Sequence, residues 1–164
     1  MKYFTKDWCF GKLDDKEYEN VERNYQKYIE NIYEDLPATL KILIKNINLH
    51  DGIIKKGTFL KKENLFELEG IFGDLNFGYF GLTLKYYEIK LLSQDLLKSI
   101  FENKNLEILS NEIEKLNRQK YSHQIIFDNG HEFEIEFKNL ELRLINESSE
   151  SYQRVNCKLL IDEK

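Results

Sequence analysis

Cysteine, proline and histidine are scarce in this 164-residue chain, numbering two, one and three. Cys9 and Cys157 stand near opposite ends with no CxxC spacing, which argues for two free thiols and against a disulfide or zinc site. Long apolar runs are missing as well. The opening MKYFTKDWCF carries charges where a signal peptide needs an unbroken apolar stretch, and charges interrupt every longer apolar segment. Neither secretion nor a membrane span is expected, and the chain reads as cytoplasmic. Basic charge is in deficit: 24 Lys and Arg face 29 Asp and Glu, a formal net charge of -5. That balance opposes binding to the phosphate backbone of nucleic acid, and it suits a basic partner or simple solubility. No linker-like stretch or repeat divides the chain, so a single domain over 1–164 is expected, helical to about residue 48 and β-rich from about 49.

What is present is the composition of a packed protein, with 41% hydrophobic and 13% aromatic residues. Asp14 followed by Glu17 has the spacing of a capping box, and Tyr18, Val21, Tyr25, Tyr28, Ile29 and Ile32 then recur at helical spacing. Pro37 suits the first turn of a second helix carrying Leu40, Leu43, Ile44 and Ile47 and ending near Asn46 to Asn48. From there the period falls to two. Phe66, Leu68 and Phe72 share one strand face, with Glu67 and Glu69 opposite. Phe80, Leu82, Leu84 and Tyr86 alternate before Tyr87, Ile89 and Leu91 continue on the other parity, a slip that a bulge or bend near Tyr86 and Tyr87 would absorb. Ser93 is placed to cap a short helix with Leu96, Leu97, Ile100 and Phe101. Residues 106–116 read as a strand, ESSES at 147–151 as a polar loop, and Val155 to Ile161 as a last strand. The expected fold class is α+β, with two N-terminal helices packed on an antiparallel, meander-like sheet or partly open barrel of roughly six to eight strands.

The segment HQIIFDNGHEFEIEF permits a register argument. Phe133, Ile135 and Phe137 form an apolar face, with Glu132, Glu134 and Glu136 on what reads as a solvated one. A two-residue Asn129-Gly130 turn would place Ile125 and Phe127 on the glutamate side. A three-residue loop with Gly130 in the left-handed region pairs Ile125 with Phe133 and Phe127 with His131, and keeps the apolar residues together. The second register is the expected one. It sets His123 and His131 on one face but roughly 13 Å apart at about 3.3 Å per residue, too far to share one ion.

That leaves His50, Asp51 and His123 as candidate metal ligands. His50 and Asp51 would converge only if the chain turns there, because neighbours on a strand point to opposite faces. A corner between helix and sheet, with the aspartate satisfying backbone donors, is the plainer and preferred reading. Lys55, Lys56, Lys61 and Lys62 around Gly57 and Phe59 suggest either a nucleic-acid patch or, preferred, a solvated loop or an edge strand guarded by lysines. Gly70, Gly73, Gly78 and Gly81 lack the Lys-Ser/Thr of a phosphate loop, and Ser148, Ser149 and Ser151 lack a nucleophile elbow. Asp14/Asp15 reads as a cap, and Trp8 as an anchor against the sheet.

The start MKYFTKDW, the later DLPATLKILIKNINLHDGII with its LHD motif, and YSHQIIF leading into EIEF together resemble a bacterial family of unknown function found mainly in low-GC Gram-positive species. The likeness covers most of the chain. It implies helices followed by an antiparallel β-rich part, and it carries over no activity, cofactor or catalytic residue. Small acidic proteins of this build are also similar to immunity proteins that neutralise toxins. The leading expectation is a non-enzymatic module, without a cofactor, that binds another protein. The alternative is a small-molecule or metal-dependent enzyme using His50, Asp51 and His123.

Overall fold

The structure is a computed structural model describing residues 1–74, 78–91, 94–102, 106–149 and 158–162. A short helix, α1 (Lys6–Cys9), precedes α2 (Asp15–Ile32), which begins with the expected capping box: Glu17 N–H donates to the Asp14 carboxylate at 2.9 Å, and Asp14 N–H returns to Glu17 at 3.2 Å. After one 3-10 turn (Tyr33–Asp35), Pro37 opens α3 (Ala38–Asn46), and the chain leaves the helix at Ile47 in extended conformation. Nine strands follow among the described residues. They are β1 (Ile53–Leu60), β2 (Leu65–Asp74), β3 (Gly78–Tyr87), β4 (Lys90–Leu91), β5 (Ile108–Lys115), β6 (Tyr121–Phe127), β7 (Glu132–Phe137), β8 (Asn139–Ser149) and β9 (Lys158–Asp162), with α4 (Gln94–Phe101) between β4 and β5. No helix among the described residues is long and apolar enough to cross a membrane.

The fold is α+β, and its strands form two sheets that do not close into a barrel. One is ordered β8-β3-β2-β1-β9, the other β4-β7-β6-β5. Their facing sides share one apolar cluster with α3 and α4: Leu68, Leu84 and Tyr86 come from the first sheet, Ile125, Ile135 and Phe137 from the second, Leu40 and Leu43 from α3. Phe66 meets Phe133 with ring centroids 5.4 Å apart, and Tyr86 meets Phe137 edge-on at 5.2 Å. Each such side chain contributes about 1.5–3 kcal/mol when fully buried.

The meander holds for β1, β2 and β3 and then breaks. At Glu88 the chain adopts φ 52, leaves the first sheet and enters the second as β4. Of the expected bulge or bend it is the bend that occurs, at Glu88, and it carries the chain to the other sheet, because odd positions must now face a core approached from the other side. The chain returns between β7 and β8, where Tyr87 pairs with Asn139 and Lys138 N–H donates to the Tyr87 carbonyl at 3.1 Å. Residues 88–138 thus sit inside the connection of a β3–β8 hairpin.

Two further expectations are corrected. β9 pairs with β1 in parallel, so the lysine-bearing β1 lies between two strands and is not an edge. Glu147, Ser148 and Ser149 belong to β8, since Ser149 pairs with Tyr79, and do not start a loop. Ser93, Ser151, Val155 and Cys157 lie outside the described residues. The hairpin register is the expected one: Ile125 pairs with Phe133, Phe127 N–H donates to the His131 carbonyl at 3.0 Å, and Gly130 has φ 79.

Candidate functional site

LHDGII is the corner at which α3 hands over to β1. Asn48 Oδ1 accepts the His50 N–H at 3.0 Å, and Gly52 N–H donates to the Leu49 carbonyl at 3.1 Å, which closes a tight turn with Asp51 at φ 60. Aspartate tolerates that left-handed backbone better than most side chains. Asp51 N–H donates to the Ile108 carbonyl and Ile108 N–H to the Gly52 carbonyl, both at 2.9 Å, so the corner also ties β1 to the start of β5. His50 Nδ1 and Asp51 Oδ1 stand 2.7 Å apart, with the side chains 56% and 61% exposed. At that exposure the pair contributes at most about 1 kcal/mol.

His123 lies elsewhere, fully buried on the core face of β6. Its Nδ1 is 2.7 Å from the Tyr86 hydroxyl and its Nε2 is 3.2 Å from Asn111 Oδ1. Tyr86 is fully buried too, so its hydroxyl proton needs an acceptor, and Nδ1 is the one at hand. Nε2 then carries the ring proton and donates to Asn111 Oδ1. The directed chain runs from Tyr86 through His123 to Asn111 and leaves the Asn111 amide nitrogen for other partners. Burial pushes the imidazole down to about 3 and the Tyr86 phenol upward, so both groups are neutral at ordinary pH. His50 and Asp51 come together in this structure, and His123 does not join them. Among the described residues, no three His, Cys, Asp or Glu side chains converge as a metal site requires.

Asn111 lies on β5, beside a cavity of about 450 Å³ that the last turn of α3, Asn48, Leu49, Tyr25 and Ile113 also line. The cavity sits where α2 and α3 approach the free side of β5. Tyr25 and Tyr28, one helical turn apart on α2, accept the Ile113 and Lys115 N–H groups at 2.8 and 2.9 Å and so cover part of that sheet edge. On the other face of β5, Glu112 is only 2% exposed, and its carboxylate accepts the backbone N–H groups of Lys2, Tyr3 and Phe4. The N-terminal segment is thereby laid over the second sheet. Trp8 stacks on Tyr18 at 4.3 Å and anchors this layer.

The glutamate face of β7 is correspondingly not a plain solvated face. Glu134 accepts from Ser122 Oγ at 2.8 Å and Gln124 Nε2 at 3.3 Å, and a hydrogen bond from Lys120 holds Glu136 below the usual carboxylate range. Sequence reasoning missed Asn111, Tyr86 and Glu112. One signal was present: His123 shares the parity of Ile125 and Phe127, so the register that buries those residues also buries the imidazole. No family model matches the chain, and no curated protein or solved structure matches it either.

Proposed function

We propose that this chain acts by binding another protein, as a non-enzymatic module that accepts an extended segment of its partner along β8. The observation that carries this reading is the edge of the five-stranded sheet. β8 runs eleven residues, pairs with β3 on one side, and has no strand on the other among the described residues. Glu141, Arg143 and Leu144 along it are exposed, Leu144 to 67%. A long edge offers a row of unpaired backbone groups to an incoming strand, and an apolar side chain left in water beside that row gains by being covered. The net charge of -5 favours a basic partner, as expected of an inhibitor that caps its target.

Strand addition is broken by removing its backbone donor or its apolar contact. Affinity capture from lysate, with bound proteins identified by mass spectrometry, should therefore give a partner that Arg143→Pro and Leu144→Lys lose while both variants keep the native circular dichroism spectrum. Partners retained equally by both variants would rule out β8 as the docking strand.

A further inference from the structure

We propose that the cavity between the end of α3 and β5 binds a small uncharged ligand through a carboxamide group, with Asn111 as the residue that reads it. This does not rest on docking at β8. About 450 Å³ is in the range of roughly 300–1,000 Å³ typical of small-molecule sites. Leu43, Ile47, Leu49 and Ile113 supply apolar wall. The polar groups set the ligand's chemistry. Tyr86 and His123 fix the Asn111 oxygen by hydrogen bonding, so what Asn111 turns to a ligand is its N–H₂, a donor only. A buried network of this kind removes the freedom of the amide to flip, which is the preorganisation a recognition group needs.

The last turn of α3 also lines the cavity, and the final carbonyls of a helix have no onward helical partner. They accept hydrogen bonds. The lining therefore offers a donor at Asn111 and acceptors at the end of α3, and a carboxamide presents the complement. Charged ligands fit less well in either sign. A carboxylate would face the negative end of the α3 dipole. An ammonium group would face the Asn111 donors, while the Lys45 ammonium is turned to the Tyr33 ring, 4.2 Å from its centre.

The test uses the full chain labelled with ¹⁵N and three probes of one shape: benzamide, benzoate and benzylamine. Benzamide should shift the backbone amides of Leu49, Asn111 and Ile113 saturably, and the two charged probes should not. Asn111→Asp keeps an oxygen for the His123 Nε2–H and loses the donor, so it should weaken benzamide about tenfold. Ile47→Trp, at a half-buried wall position, should fill the cavity and abolish the shifts while the spectrum stays dispersed. Absence of saturable shifts with benzamide overturns the proposal. So do equal shifts with either charged probe, or Asn111→Asp binding benzamide as well as the wild type.

Discussion

His123 would have to hold a full charge among Tyr86, Phe137 and Ile125 to be protonated in the folded protein, and burial alone pushes it down to about 3. The same ring in the unfolded chain takes a proton near 6.5. Between those values the unfolded state binds more protons. The stability contributed by this group is therefore complete above about pH 6.5 and falls as the pH drops, with a limiting slope of about 1.4 kcal/mol per unit. His123→Gln can accept from Tyr86 and donate to Asn111 without titrating. Urea melts between pH 6.5 and 5 should show a flatter pH dependence in that variant, and equal slopes would count against a buried neutral imidazole. Gly130 makes a second residue-level prediction. At φ 79, with the nearest atom to an added Cβ 4.0 Å away, Gly130→Val should cost about 1–2 kcal/mol or more through backbone strain and not collision. Asn129→Ala loses only the exposed bond from His131 N–H to Asn129 Oδ1 and should cost less in the same melts. Gly130 was legible because a turn is local. The partners of His123 were not, because Asn111 and Tyr86 lie 12 and 37 residues away.

At the scale of elements, α2 illustrates what periodicity can and cannot convey. Its capping box and apolar stripe follow from spacing alone. That the stripe's tyrosines would use their hydroxyls on a strand edge does not, since the strand lies nearly ninety residues further on. Tyr25→Phe keeps the ring and leaves the Ile113 N–H without its acceptor, at a cost of about 1–3 kcal/mol. Hydrogen exchange should speed up at Ile113 while Lys115, still bound by Tyr28, stays protected; unchanged protection at Ile113 would show that the hydroxyl is dispensable. Glu112 tests the opposite face of the same strand. Glu112→Gln replaces one acceptor oxygen by a donor facing three backbone N–H groups, so exchange at Lys2, Tyr3 and Phe4 should accelerate and thermal stability should fall.

For the whole molecule, strand existence was readable and strand order was not. Period-two alternation marks β2, β3 and β7, and the change of parity after Tyr86 falls where the chain changes sheets. Parity says that a face has been exchanged but not which neighbour the strand then meets. The parallel β1–β9 pair left no local mark at all, as it joins residues about a hundred positions apart. β9 has no fully buried side chain. Removing residues 158–164 should therefore lower the melting temperature by only a few degrees. It should also bare the β1 edge and promote association at high concentration, and a chain that fails to fold without β9 would contradict this weighting. The pairing of Tyr87 with Asn139 brings the two ends of the 88–138 segment together. A four-strand meander is complete without residues 88–138, which enter and leave through adjacent points like a guest lodged in a turn. The two halves share one oily interior. Host and guest supplied as separate polypeptides, with a two-residue turn closing the host, should associate one to one and restore the amide spectrum of the intact chain, and two fragments that stay apart would contradict it.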